Sequence, residues 1–369
     1  MNIFYRKKKF TEKAVSLSAL TSKRFMKEKM GVISLSFIFL MFLIAVLGYL
    51  ITPDQTPYCN DQHLEISLQR PGFKVDMLQL DDNMNVPKVS FFQKMMFGQP
   101  AIYKSIPIGD FYIKNDTLYA HLYGQKVDQV VFAINTLHSN NPVISKKFLL
   151  GTDRYGRDVL SQLMMGARIS LAVGFISVFI ALVIGIFLGA IAGYYGGKVD
   201  QLIMWFINVI WSIPTLLLVI AISFALGKGF WQIFIAIGLT MWVDVARVVR
   251  GQVISLKEQE FVEAGKALGY SGFHIIFKHI LPNVLGTVIV LAASNFSSAI
   301  LMEAGLSFLG LGVQPPTPSW GMMMKENYAY IVLDQAYLAI IPGLAIMLLV
   351  LAFMLVGSAL RNAISVNSE

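Results

Sequence analysis

Long apolar runs separated by short polar breaks dominate this chain. Val32 to Ile51 carries no charge, and about 20 such residues suffice to cross roughly 30 Å of hydrocarbon at 1.5 Å per residue. Comparable runs at 169–197, 201–226, 230–249, 283–308 and 335–360 predict five more spans, six in all. In the second span Gly185, Gly189 and Gly193 recur every four residues and leave one helix face smooth. That face suits close packing, either within the chain or against a second subunit. Pro214 is expected to kink the third span, and Pro342 lies near the start of the last.

Two stretches depart from the pattern. From Thr52 to about Phe148 the composition is that of a soluble segment with scattered prolines, and Asp110 to Gly124 reads as two strands around an Asn115-Asp116 turn. A small β-rich insert is expected there. His63, His121 and His138 lie in it without metal-like spacing and read as ordinary surface histidines.

The second stretch, residues 255–283, is polar and amphipathic between apolar runs. Ser255 and Glu258 have the spacing of a capping box, which predicts a helix start. Gly269 ends that helix and Ser271 caps a second one. Phe261, Ala264 and Leu268 recur at helical spacing on the first, and Phe273, Ile276, Phe277 and Ile280 on the second. Pro282 is expected to end the excursion and open the next helix. The result is a stiff knob projecting from one face of a membrane protein.

Glu263-Ala264-Gly265, Gly269 and Leu281-Pro282 fall at the spacing of the EAA signature, and the knob resembles the cytoplasmic loop of membrane subunits of bacterial ATP-binding-cassette importers. Gly265 stands where a second Ala is usual; it is read as keeping a small volume for close approach, at a helix cost of about 1 kcal/mol. His279 replaces the usual Ile, and His279-Ile-Leu-Pro-Asn283 is similar to the dipeptide and oligopeptide permease subgroup. Leu149 to Leu171, Glu303 to Gly312 and Gln314 to Gly321 resemble the same subgroup. The first of these is expected as an interfacial helix on the outer face, with Arg154, Arg157, Asp158 and Arg168 in anchoring and local ion pairs. Trp320 reads as an interfacial tryptophan, and Asp244 as a partner for Arg247 at the inner end of the fourth span.

Composition narrows the class. Hydrophobic residues make up 56% and charged ones 14%, the balance of an integral membrane protein. The net charge of +8 does not point to nucleic acid, because nine lysines and arginines between Arg6 and Lys29 precede the first apolar run. By the positive-inside rule that basic segment, 1–30, stays in the cytoplasm. The single cysteine, Cys59, excludes an intrachain disulfide.

The expected architecture is an all-α polytopic membrane protein of six transmembrane helices, like a type I importer permease, with a β-rich extracytoplasmic insert. Its parts are a basic segment (1–30), a first helix (31–51), the insert (52–148) and a permease core (149–365) holding the knob. The resemblance implies a bacterial inner-membrane subunit, both termini cytoplasmic, forming half of a translocation pathway for peptides. It also implies a second permease subunit, two ATPase subunits, an extracytoplasmic substrate-binding protein and membrane lipid as partners. No Gly-x-x-x-x-Gly-Lys-Ser/Thr phosphate loop is present, so ATP and Mg are expected on the ATPase partners and no catalytic, cofactor or metal residues in this chain. Glu263, Ala264, Gly265 and Gly269 would shape the knob, Tyr270, Phe273, Ile276 and Phe277 would fill the ATPase groove, and Leu281 and Pro282 would set its return to the membrane. The competing reading is a self-contained secondary transporter or channel, which would need ion-binding carboxylates in mid-span.

Overall fold

The computed structural model describes residues 17–81, 89–115, 117–125, 129–133, 137, 142–227 and 229–365. His138 and Asp116 of the expected turn lie outside them. The helices are α1 (Leu17–Phe25), α2 (Lys29–Ile51), α3 (Phe91–Phe97), α4 (Val159–Tyr195), α5 (Gly197–Trp211), α6 (Thr215–Leu226), α7 (Phe230–Lys257), α8 (Glu260–Ala267), α9 (Gly272–His274), α10 (Leu281–Phe308), α11 (Trp320–Asn327) and α12 (Tyr337–Ser365). Among the described residues five helices are long and apolar enough to cross a membrane, and α5 and α6 pass the same test only as a pair, which bends by 94° at the break between them. Pro214 therefore does more than kink the third span, because it starts α6 in a new direction without an N–H to continue α5.

The helix pair α4 and α7 makes the central contact, and the glycine stripe explains it. A Cβ on Gly189 would sit 2.4 Å from the carbonyl oxygen of Ala246, and one on Gly185 2.5 Å from Cβ of Val245. The stripe is thus packed within the chain, which settles the alternative left open by the repeat. A second cluster gathers α2, α4, α10, α11 and α12. There Phe296 stacks on Phe353 at 4.5 Å and meets Phe175 edge-on at 4.7 Å. Phe25 of α1 packs on Val356, Ala359 and Ala363 of α12, so the segment before the first span is partly docked.

The expected interfacial helix before the second span is absent. Residues 149–158 form a tight loop, and Asp158 caps α4 by accepting from the N–H of Ser161 at 3.0 Å. From there one helix of 37 residues runs through the span, since nothing between Val159 and Ile169 breaks it. Its first turns are covered by protein rather than lipid. Trp320 is not an interfacial anchor either: it is fully buried, fills the notch left by Gly166 and donates to the carbonyl of Leu163 at 2.8 Å.

The insert carries a five-stranded antiparallel sheet, β1 (Phe73–Asp81), β2 (Tyr103–Lys114), β3 (Thr117–Leu122), β4 (Gln129–Ala133) and β5 (Val143–Phe148), in the order β4-β3-β2-β1-β5. Leu78, Ile108, Leu118, Ala120 and Leu137 fill its inner face. Loop 149–158 fastens it to the helices. At Gly156, with φ +73°, a Cβ would overlap the His63 backbone, so only glycine permits this approach. His63 is consequently buried, contrary to its expected surface place, and its Nε2 lies 3.0 Å from Asp61.

Candidate functional site

α7 leaves the bundle without the expected break at Ser255, which lies inside that helix. The apolar stripe of Val245, Val249 and Val253 continues into the core, so packing overrides the capping-box signal. α8 instead starts at Glu260 after Gln259, with no side-chain cap.

Gly269 closes α8 as expected, with φ +77°. The N–H of Tyr270 reaches the carbonyl of Gly265 at 3.1 Å and that of Gly269 reaches Lys266 at 2.9 Å, the two bonds of a Schellman closure. Ser271 then caps α9 by accepting from the N–H of His274 at 3.3 Å.

Beyond α9 the chain runs through a π-turn, Ile275–Ile280, directly into α10. The return to the bundle therefore begins at Gly272, ahead of Pro282, which stands in the first turn of α10 as expected. The wider i→i+5 turn just before proline, with the Leu281 N–H on the Ile276 carbonyl, accommodates the ring and the missing donor. Leu281 packs on the core and Pro282 is exposed.

Each side of the knob has a distinct character. Val262, Ile275, Ile276 and Ile280 are at most 1% exposed and join the core around Val249, Val253 and Val284. Ile276, expected among the groove-filling residues, instead packs in the chain's own core, on the inward side of the π-turn. Gly265 is buried too, but a Cβ there would meet Tyr270 and Ile275 at 3.6 and 3.7 Å, ordinary contact, so packing within this chain does not require glycine.

On the outer side Tyr270, Phe273 and Phe277 are 44%, 56% and 47% exposed, and the two phenylalanine rings lie 4.6 Å apart. Phe261 and Leu268, picked out by helical spacing but not placed in the groove-filling set, are 41% and 71% exposed on the same knob. Glu263 and Ala264 are exposed, and Glu263 lines a polar cleft of about 350 Å³ with Asp200, Lys257 and Lys266. The His274 and His279 rings gather against Tyr270 at 4.7 and 5.8 Å and stiffen the turn.

Several charged residues elsewhere have local partners. Asp244 does not pair with Arg247; it accepts from the Trp211 indole at 3.1 Å, while the Arg247 guanidinium lies 3.6 Å from the centre of the Trp211 ring. Arg157 bonds Asp153 at 2.7 Å and Glu326 at 2.9 Å, and Arg154 approaches Glu326 at 3.4 Å, which bears out local pairing. Burial works against the Arg157 charge, but both carboxylates outweigh it and raise its pKa.

The chain is similar to known proteins over most of its length outside the insert. Residues 185–366 match the family described as binding-protein-dependent transport system inner membrane component, and residues 16–71 match the N-terminal TM domain of oligopeptide transport permease C. The dipeptide transport system permease protein DppC of Alkalihalophilus pseudofirmus is 44% identical over 220 residues, 60% of this chain and 72% of that protein. The oligopeptide transport system permease protein OppC of Haemophilus influenzae is 43% identical over 223 residues, covering 60% and 71%. The glutathione transport system permease protein GsiD of Pectobacterium atrosepticum is 41% identical over 215 residues, covering 58% and 71%. Among solved structures, the inward-facing MetNI methionine ABC transporter aligns over 55% of this chain and 96% of that chain at 22% identity, with a TM-score of 0.44. On the extent of the matches to these relatives, the chain belongs to the dipeptide and oligopeptide branch of the binding-protein-dependent inner-membrane permeases.

Proposed function

We propose that this chain is one of two membrane subunits of an ATP-driven peptide importer and transmits nucleotide-driven motion through its knob. The observation that carries the reading is the knob's asymmetry. One side is fixed in the bundle core through Val262, Ile275, Ile276 and Ile280, while Phe261, Leu268, Tyr270, Phe273 and Phe277 stay uncovered. A rigid projection with so much uncovered apolar surface fits a protein groove.

In this reading the knob lies in the cytoplasm, as do both chain ends, and the groove belongs to a separate ATPase that holds ATP and Mg. Closure of two ATPase subunits moves the knobs of two permease subunits, and the helix bundles switch between inward- and outward-facing states. An external binding protein delivers the solute. Relatives named for dipeptide, oligopeptide and glutathione transport support a peptide as that solute.

Gly269→Pro tests the coupling. Proline cannot adopt the +77° φ of Gly269, so the Schellman closure is lost while the spans are untouched. The variant is expected to insert normally and to lose substrate-stimulated ATP hydrolysis in the assembled complex. Normal stimulation would remove the coupling role.

A further inference from the structure

The short helix α3 lies within the insert's sequence but not within its sheet. It packs on the flank of α2, next to the end of the first span. Arg168 of α4 fixes its depth. Nε and Nη2 donate to the carbonyls of Ala45 and Val46 in α2 at 2.7 and 3.2 Å, and Nη1 and Nη2 donate to those of Met96 and Met95 in α3 at 2.7 and 3.0 Å. One guanidinium therefore binds both helices, at the level of the last two turns of α2. Ala45 stands about 9 Å below the end of that helix, from the rise per residue.

At that level α3 presents Phe91, Phe92, Met96 and Phe97, 62%, 72%, 51% and 68% exposed, with Gln93 the one polar side chain among them. Lys94, less exposed than these side chains, lines a groove of about 620 Å³ that also holds Asp54, Asp61 and Lys146. The neighbouring surface of α2 is also apolar and uncovered at Phe42, Val46, Leu47 and Ile51, and only 17% of that span is covered by protein. The two helices that carry these exposed side chains pack on each other.

We infer that α3 is a membrane anchor for the insert, a helix lying in the lipid leaflet on the insert side with its phenylalanines among the acyl chains. Three features distinguish lipid from a protein occupant. The exposed apolar side chains lie beside those of the first long apolar helix, their depth matches the several ångströms to which interfacial helices sink, and Lys94 lines a groove that also holds Asp54, Asp61 and Lys146. The helix end is also prepared for hydrocarbon. The carbonyls left over at its C-terminus are taken by Arg168 at Met95 and Met96 and by the N–H of Gly98 at Lys94, so none of these three faces lipid unpaired. This inference is independent of what the knob binds.

Nitroxide accessibility tests it. Cys59 is fully buried and its thiol is pushed up by burial, so it resists labelling. Phe92→Cys and Phe97→Cys, each in the full-length chain with its co-purified partners, are spin-labelled in vesicles of phosphatidylethanolamine and phosphatidylglycerol. Lys114→Cys on β2 is the water-facing control. The expected result is relaxation by oxygen and protection from a water-soluble nickel chelate at 92 and 97, with the reverse at 114. Nickel access at 92 and 97 equal to that at 114 overturns the anchor. Protection from both reagents overturns it as well and assigns the surface to a protein neighbour. The two positions are independent, so failure of one variant to express leaves the other to decide.

Discussion

Arg250 and Asp200 meet in a two-pronged ion pair, with Nη2 to Oδ2 at 2.6 Å. Both side chains are mostly covered, and the pair ties α5, one arm of the bent α5–α6 pair, to the end of α7 from which the knob departs. Movement of the knob root is thereby linked to the helix that bends at Pro214. Asp200→Asn keeps the shape but leaves the guanidinium without its counter-charge, an expected loss of about 1–3 kcal/mol. The combined swap Asp200→Arg with Arg250→Asp should recover part of it. Thermal unfolding in detergent checks this, and an unchanged midpoint for Asp200→Asn would argue against the pair.

Two glycine-to-alanine changes should act in opposite directions. Gly189→Ala drives a methyl into the Ala246 backbone, and overpacking of this kind costs about 1–3 kcal/mol. Gly265→Ala places its methyl at ordinary contact distance in a helix and should gain up to ~1 kcal/mol. Matched melting curves decide both.

Glu326→Ala removes one of the two carboxylates bound to the buried Arg157. Because Asp153 remains, the expected cost is about 1–3 kcal/mol rather than that of a fully orphaned charge. Limited proteolysis should show the insert and loop 149–158 cut faster, since this network fastens them to α11. An unaltered cleavage rate would contradict that role.

Acid should weaken the insert through Asp61. Burial disfavours its charge, but the His63 contact and the charges of His63 and Lys146 outweigh burial and hold the carboxyl below its usual value. The folded pKa lies under the unfolded one, so this stabilisation is complete above the unfolded value of about 3.9 and is lost as pH falls through the folded value. The wild-type melting midpoint should drop between about pH 5 and pH 3 more steeply than that of Asp61→Asn. Asp158 has the opposite sign, because burial raises its pKa, and the comparison with the variant cancels it. Parallel curves would refute the assignment.

Much of this was legible in the residues and some was not, for identifiable reasons. Single-residue backbone demands were readable: Gly269 ends α8 and Ser271 caps α9 because left-handed closure and N-capping are local chemistry. The apolar runs located five of the candidate spans, while the third run bends by 94° beside Pro214 rather than kinking gently. What misled were cues that packing can overrule. Ser255 and Glu258 have capping spacing inside a helix held by its valines, and Trp320 looks interfacial until Gly166 is seen to open a notch for it. Ile276 was indistinguishable by spacing from Phe273 and Phe277, because a π-turn changes the rotation per residue and leaves no mark in the periodicity.

That distinction also separates coupling from stability. Ile276→Ala should destabilise the bundle by about 2–5 kcal/mol as a core truncation, whereas Phe273→Ala and Phe277→Ala should leave unfolding nearly unchanged. The phenylalanine variants should instead lower substrate-stimulated ATP hydrolysis in the assembled complex. Stimulation retained by the phenylalanine variants and lost only with Ile276→Ala would place the contact elsewhere.

The most direct measurement is site-specific crosslinking of the knob. Cysteines placed at Phe273 and Phe277 in the membrane-embedded complex, with the buried Cys59 retained, should each join to the ATPase subunit through a short bifunctional reagent added from the cytoplasmic side. Labelling of either position from outside the cell, or the absence of any ATPase adduct from a complex that still hydrolyses ATP in response to substrate, would contradict the account.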